Sequence, residues 1–391
     1  MKIAYISQPY PPMISGGGLV TQQLAKGIAS RGHEVLVLAP SERGQAYADS
    51  TGSLKVVRLR SYPNPMRVGQ CFSLWPRSEI ASALQTFHPV VVHLCCLLNM
   101  GVCGALCARA LGIPAVLTIH QLPWFVTTYL TTLPGLRQGI EAVLWSYGRW
   151  LLRRCQAAVA PSHTIADMVS ARGNPRPQVI SNGVNLRLFT PQPAFAGERE
   201  ALCEAHDLAP ELPVILYVGR IDKDKQVDLV IRAAARTLRS VRAQLLVVGD
   251  GRERAAVMRL SERLGIGQLS RFPGFVTAEG DLPGLYRLAA VFVTASEVEI
   301  QSSVVLEAMA SSLPVITVRA SSMPELVEDG MTGHLVAPHD VEAMAGRIAS
   351  LLRDPSQAKA MGQAGRGKAE NHSLDSSVKA HEHLYQSLAA Q

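Results

Sequence analysis

Short β-branched runs alternate with amphipathic helical stretches along this chain, and the alternation stops once and then begins again. In the first half "KIAYIS", "HEVLVLAP", "LKVVRLR", "VVVHL", "AVLTIH" and "AAVAPS" read as strands, and "GLVTQQLAKGIASRG" reads as a helix ended by Gly32. In the second half "VILYVGR", "AQLLVVGDG", "SRFPGFV", "AAVFVTAS", "LPVITVR" and "TGHLVAP" are six further strands, separated by helices such as "QVDLVIRAAARTLRS" and "GDLPGLYRLAA". A helix between successive strands makes the pairing parallel, so each half is an α/β unit with a doubly wound sheet covered on both faces. Between the halves, "TPQPAFAGERE" at 190–200 has the prolines, glycine and charges of a linker. The chain's 391 residues also exceed what one core supports, roughly 250–300. The expected domains are 1–187 and 188–373, with a final helical stretch at 374–391 able to pack back on the first domain.

Ligands of open parallel sheets bind beyond the carboxyl ends of the strands, so two such sheets are expected to face a central cleft. After the first strand, Gly16, Gly17 and Gly18 precede a helix, where backbone amides can approach a phosphate or sugar. About nine residues separate strand and glycines and no third spaced glycine follows, which is not the dinucleotide fingerprint. A ligand-facing loop is expected, with a plain flexible loop as the alternative. In "GRIDKDKQ", Arg220 and Lys225 at a strand end are placed to clamp a diphosphate. Asp222 and Asp224 between them read as a solvated charged turn rather than metal ligands.

The stretch "SEVEIQSSVVLEAMA" places Glu299 in the loop after a strand and Glu307 about one turn inside a helix that begins near Ser302 or Ser303. Carboxylates there can accept from pairs of hydroxyls while the helix-end amides hold an anion, giving a polyol site wrapped around a phosphate site. Glu307 lies in "VVLEAMA", a run suited to burial, where an unpaired carboxylate is costly.

The net charge of +7 is uneven: residues 1–187 hold 17 Lys and Arg against 6 Asp and Glu, and the rest hold 21 against 25. The basic half suits a polyanion or an anionic membrane surface, a solvated surface being the plainer alternative. Seven cysteines, an odd number without Cys-x-x-Cys pairs, read as buried reduced thiols, and "MKIAYISQPYPPM" lacks the apolar core of a signal peptide, so a cytoplasmic protein is expected.

With these residues in view, the chain resembles the retaining glycosyltransferases of family 4, which have the GT-B fold of two Rossmann-like domains. The segments "GGGLVTQQLAKGIASRGHEVLVLAP", "GIPAVLTIH", "VISNGVN", "YVGRIDKDKQVDLVIRAA", "LLVVGDG", "VTASEVEIQSSVVLEAMASSLPVI" and "PELVEDGMTGHLV" occur in the family's order, with its paired glutamates at Glu299 and Glu307. The resemblance implies a nucleotide-diphosphate sugar in the C-terminal half and an acceptor on the N-terminal half. It implies that Glu307 holds the ribose hydroxyls, Glu299 the sugar hydroxyls near C3 and C4, and Arg220 and Lys225 the pyrophosphate. It further implies that the amides of Ile300, Gln301, Ser302 and Ser303 meet the distal phosphate and sugar, that Gly17, with Gly18 beside it, lies beneath the diphosphate or sugar, and that His120 is the active-site histidine. Retention ordinarily means a covalent intermediate, but no nucleophile stands out, so front-face attack without metal or cofactor is expected. Ile300 and Gln301 depart from the Gly or Phe of many relatives, which bears on the sugar accepted. Asn185 stands where Asp is usual, which bears on the hinge.

Residues 122–154 hold three of the four tryptophans and four arginines against one acid. Trp124, Phe125, Trp145 and Trp150 with Arg149, Arg153 and Arg154 suit an interfacial helix, rings in the headgroup layer and guanidinium groups on anionic lipid. Ordinary core packing is the alternative. The expected reaction is hexose transfer from UDP-glucose to a lipid such as diacylglycerol, by an enzyme held peripherally at the inner membrane face with no nucleic-acid partner. A soluble or polysaccharide acceptor, a non-catalytic sugar-nucleotide-binding subunit and an epimerase remain alternatives.

Overall fold

The computed structural model describes residues 1–13, 15–64, 69–123, 127 and 134–390. The chain divides into one unit of Met1–Gly183 with Leu374–Gln391 and a second of Val184–Ser373. The division falls before the proline-rich stretch at 190–200, whose last residues already open a helix.

In the first unit the elements run β1 (Lys2–Ile6), α1 (Gly16–Ser30), β2 (Glu34–Pro40), β3 (Tyr47–Thr51), β4 (Leu54–Leu59), β5 (Tyr62–Pro63), β6 (Cys71–Phe72), α2 (Arg77–Phe87) and β7 (Val91–Leu94). They continue through α3 (Asn99–Ala110), β8 (Ala115–Thr118), α4 (Pro134–Leu152), β9 (Ala157–Ala160), α5 (His163–Ser170) and β10 (Gln178–Val179). The sheet order is β10-β9-β8-β7-β1-β2-β4-β3, parallel except where β3 pairs antiparallel with β4. Strand β3 reads poorly from sequence because "YADST" is almost fully exposed and carries no apolar alternation. Successive residues of β1 point to opposite faces. Ile3 and Tyr5 join the core under α1, while Ala4 and Ile6 join the core that includes buried residues of α2 and α3.

The second unit contains α6 (Glu198–Ala205), β11 (Val214–Val218), α7 (Val227–Thr237), β12 (Gln244–Val248), α8 (Arg254–Arg263), β13 (Ser270–Gly274) and α9 (Leu282–Leu288). These are followed by β14 (Val291–Val293), α10 (Ser303–Ala310), β15 (Val315–Val318), α11 (Met323–Leu326), β16 (Gly333–Val336), α12 (Val341–Arg353) and α13 (Pro355–Glu370). Its six strands, all parallel, are ordered β13-β12-β11-β14-β15-β16, and each corresponds to one expected from the sequence. Asp340 caps α12 by accepting from the Ala343 amide at 2.8 Å, and Asp354 caps α13 through Gln357 at 3.0 Å. Strand order reverses between β11 and β14, so the loops leaving these neighbours diverge and open a site at their carboxyl ends.

The last helix, α14 (Leu374–Ala389), belongs to the first unit, where Val378, Leu384, Tyr385 and Leu388 complete the core beneath α1. Arg31 donates to Glu382 at 2.6 Å and His33 shares the other oxygen of that carboxylate at 2.7 Å, which fixes the helix at its exposed edge. The Tyr385 ring is fully buried. Truncation of a large buried ring typically costs about 3–5 kcal/mol, so Tyr385→Ala should lower the unfolding free energy in urea by that order. A loss under about 1 kcal/mol would show that α14 is not part of the first domain's core.

Candidate active site

The loops after β11 and β12 brace each other through close backbone contact. At Gly249, φ is +138° and an added Cβ would lie 1.9 Å from the Gly219 carbonyl oxygen, so no side chain fits. The Gly219 amide donates to the Val248 carbonyl at 3.0 Å and that of Ile221 to Asp250 at 2.9 Å. Below them the buried Tyr217 hydroxyl donates to the Arg220 carbonyl at 2.7 Å. Arg220 therefore leaves a fixed backbone.

Its guanidinium donates to Asp222 and, at 2.8 Å, to Asp224. Asp224 is 3% exposed, so the charged turn expected from the sequence is solvated only at its rim. The correction has a plain cause: a buried carboxylate needs cationic partners, and Arg220 and Lys225 supply them. The Lys225 ammonium lies 3.7 Å from Asp224 and donates to Glu299 at 2.6 Å and to the Ser296 hydroxyl at 3.4 Å. The Glu299 carbonyl accepts from the hydroxyls of Ser321 and, at 3.2 Å, Ser322, pinning the loop after β14 to the one after β15. Arg220, Lys225 and Glu299 thus come together as expected, joined by two aspartates.

Helix α10 begins at Ser303 with Ser302 as its N-cap, and its first-turn amides have no carbonyl partner within the helix. Ile300 and Ser303 are partly exposed and Gln301 and Ser302 buried. One turn in, the half-buried Glu307 accepts from the Tyr286 hydroxyl of α9 at 2.8 Å. Burial pushes the Glu307 carboxyl up to about 7 against the lowering effect of that bond, and burial with the neighbouring Glu307 charge raises the Tyr286 phenol well above its ordinary value. Sequence reasoning passed over Tyr286, although a lone phenol in "LPGLYRLAA" has to find a partner once buried.

In the first unit the three glycines form the first turn of α1 rather than a loop before it. An added Cβ at Gly18 would sit 3.0 Å from the Pro9 carbonyl oxygen, so the helix start is pressed against the chain leaving β1. An added Cβ on Gly17 would meet His120 at 3.9 Å, placing the two side by side. His120 stands just past β8 and is half-buried; burial, with His381 nearby, lowers its imidazole to about 4, so the ring is neutral at physiological pH. Asn185 accepts from the amides of Arg187 at 3.1 Å and Leu188 at 3.2 Å through its side-chain oxygen, an Asx turn that Asp would make equally.

Of the expected interfacial residues, Trp124 and Phe125 lie outside the described residues. Trp145 is a correction, since it is 8% exposed and packs beneath the Arg172 guanidinium, 5.1 Å away, with no ring left for a headgroup layer. Trp150 is exposed, stacked on Tyr147, with Arg154 at 3.8 Å over its ring. Arg149 is partly buried, bonding to the Arg172 carbonyl and Ser146, and Arg153 is exposed. Leu136, Val143 and Trp150, all exposed at seven-residue spacing, form one stripe on α4. Trp75, Leu74 and Leu98 are exposed as well, and Asn99 ties their loops together through the Leu74 carbonyl at 2.9 Å. The Tyr147 hydroxyl donates to the Leu97 carbonyl, linking that patch to α4. Sequence reading missed it because its parts are far apart in the chain. Among the described residues no helix is long and apolar enough to cross a membrane.

The profile described as "Glycosyltransferase Family 4" matches residues 14–188, and "Glycosyl transferases group 1" matches 198–368. The chain is 30% identical over 388 residues to the sulfoquinovosyl transferase SQD2 of Arabidopsis thaliana, covering 95% of this chain and 70% of that one. It is 25% identical over 342 residues to alpha-monoglucosyldiacylglycerol synthase of Acholeplasma laidlawii, covering 85% and 84%. Among solved structures, sucrose-phosphate synthase from Thermosynechococcus elongatus superimposes with a TM-score of 0.82 at 23% identity, covering 100% of this chain and 99% of that one.

The Glu307 environment has a measurable consequence. Its folded value of about 7 stands above the 4.5 of an ordinary glutamate, so the stability lent by the neutral carboxyl is complete below pH 4.5 and is lost as pH rises towards 7. Glu307→Gln keeps an acceptor for Tyr286 without the charge. It should therefore gain on the native protein between pH 5 and 8, by roughly 2–3 kcal/mol in denaturant titrations. Parallel stability–pH curves for the two proteins would contradict the raised value.

Proposed function

The chain belongs to family 4 of the glycosyltransferases, with the GT-B fold, and we propose that it is a retaining hexosyltransferase using a nucleotide-diphosphate sugar. The observation that carries the reading is the meeting of Arg220, Lys225 and Glu299 in the loops where strand order reverses, just before α10, with Glu307 one turn inside that helix. Arg220 and Lys225 take the pyrophosphate and the α10 amides the distal phosphate, while Glu307 accepts from the ribose hydroxyls. Glu299, paired with Lys225 in the free protein, turns to hydroxyls of the sugar as that ammonium engages phosphate. Gly17 and His120 meet the transferred sugar, the neutral imidazole serving as a hydrogen-bond group rather than a cation.

In the proposed chemistry the acceptor hydroxyl attacks C1 from the face the nucleoside diphosphate leaves. The C1–O bond to phosphate breaks, its electron pair stays on the departing oxygen, and that oxygen takes the acceptor's proton. Configuration is retained without an enzyme nucleophile, and Arg220 and Lys225 meet the charge growing on the leaving group. The reading includes no metal ion or cofactor.

For the acceptor we put a membrane lipid such as diacylglycerol first, with UDP-glucose as donor. Support comes from the exposed apolar stripe of α4 with its arginines, the adjoining Leu74, Trp75 and Leu98, and the excess of 17 basic over 6 acidic residues in 1–187. The name of the Acholeplasma relative points to glucose and to the same lipid. The enzyme would then work from the cytoplasm, held peripherally at the inner face of the membrane.

Release of nucleoside diphosphate should be followed with a panel of UDP- and GDP-sugars, with and without liposomes of diacylglycerol and anionic lipid. Turnover should require the liposomes, disappear in Glu299→Ala, and fall on the order of 10²–10³-fold in Lys225→Ala. Turnover with a soluble sugar acceptor alone would overturn the lipid reading, and nucleotide-sugar binding without turnover would make the chain a binding subunit. Separately, Val143→Asp with Trp75→Ala should weaken sedimentation with anionic vesicles while leaving nucleotide affinity unchanged. Equal sedimentation of the double variant would remove this patch from membrane contact.

A further inference from the structure

Helix α14 brings His381 into the interior of the first unit. The ring is 4% exposed and stacks on His93 with centroids 5.6 Å apart. Its Nδ1 lies 2.9 Å from the Ser377 carbonyl oxygen, which only accepts, so the proton sits on Nδ1. Burial lowers the imidazole to about 4, leaving it neutral, and Nε2 is then a bare acceptor. That nitrogen is buried and has no partner among the described residues, an arrangement that is costly if nothing donates to it.

The ring of His381 lines a cavity of about 10 Å³, and so do those of His93 and His120 with Thr21 and Thr118. A space of that size among polar groups admits one water. The other polar walls are already committed. Thr21 donates to the Gly17 carbonyl at 2.9 Å, and His93 is held between the Tyr385 and Thr118 hydroxyls at 2.6 Å each, with Tyr385 in turn 3.0 Å from the Tyr5 hydroxyl. The His120 ring has no hydrogen-bond partner among the described residues.

We propose that His381 is a positioning residue for His120, acting through a water in this cavity that donates one hydrogen to His381 Nε2 and the other to the His120 ring nitrogen facing the cavity, which makes that nitrogen the bare one. The helix that ends the chain thereby selects one tautomer and one orientation of His120, and with them which ring nitrogen is offered to the sugar beside Gly17. The His93–Tyr385–Tyr5 network holds the opposite wall rigid, so the water, and not a shift of neighbouring rings, satisfies His381. The proposal rests on the reading of His120 as a group that meets the transferred sugar.

The test follows the imidazole nitrogens of His120 by NMR in ¹⁵N-histidine-labelled full-length protein, assigned with His120→Gln. In the native protein His120 should show one protonated and one bare nitrogen. In His381→Phe, which keeps ring volume but loses the acceptor, both signals should move to averaged positions, while His381→Gln, with an acceptor oxygen, should keep them apart. His93, held by its own two hydroxyls, should stay in one tautomer throughout and reports that the domain is folded. Turnover in His381→Phe should fall about tenfold with nucleoside-diphosphate affinity unchanged, and recover in His381→Gln. Identical His120 signals in the native and His381→Phe proteins, or averaged signals already in the native protein, would overturn the proposal. A fixed tautomer lost in His381→Phe, with no turnover of any nucleotide sugar, would instead sink the assigned activity and leave the coupling standing.

Discussion

Asp224, buried between two cationic side chains, is the constraint on which the second domain's site depends. A carboxylate removed from water must be compensated, and the compensation takes the form of Arg220 at 2.8 Å and Lys225 at 3.7 Å. Two flexible cationic side chains are thereby held at the carboxyl end of β11 without any ligand. Lys225 passes the order on to Glu299, and Glu299 to the loop after β15 through Ser321 and Ser322. With three carboxylates around two cations, the cluster carries a net negative charge by formal count. On the proposed reading, an incoming diphosphate is accepted as Lys225 exchanges its carboxylate for phosphate, which favours a ligand that also carries hydroxyls for Glu299.

The glycines serve this electrostatic arrangement. Gly219 and Gly249 let two loops approach within backbone contact, and the buried Tyr217 hydroxyl supports the carbonyl of Arg220. Rigid backbone beneath a charged side chain limits the reorganisation needed when charge develops on a ligand, which is where electrostatic stabilisation gains most.

Much of this was legible in the sequence, and the reasons are physical. Periodicity marks β1, β2 and the strands of the second sheet because, except for the partly exposed β13, they are buried on both faces, and the N-cap Ser302 announces α10. The pair Glu299 and Glu307 stands out because carboxylates in apolar surroundings are costly. What sequence hid were relations between distant residues. Asp224 looked like part of a wet charged turn until β11 and β14 were seen side by side. Tyr286 gave no sign of facing Glu307, and the exposed patch of Leu74, Trp75 and Leu98 joins α4 only through folding. Trp145 was misplaced because α4 carries aromatic residues on both its buried and exposed sides, so composition alone assigned all of them to one surface.

The buried groups beside the candidate site residues are stabilised differently in the two domains, although the first also buries the Arg58 guanidinium 3.9 Å from Glu42. The second satisfies its buried Asp224 with cations and keeps the charge. In the first, no carboxylate pairs with the buried rings of His93 and His381 among the described residues, and burial drives both imidazoles below their ordinary value. Neutral imidazoles are donors and acceptors at once, so a chain of them can transmit orientation through its hydrogen bonds. On the proposed reading, a transferase that holds a diphosphate against an uncharged acceptor hydroxyl gains from keeping a charged and a neutral buried network in separate cores.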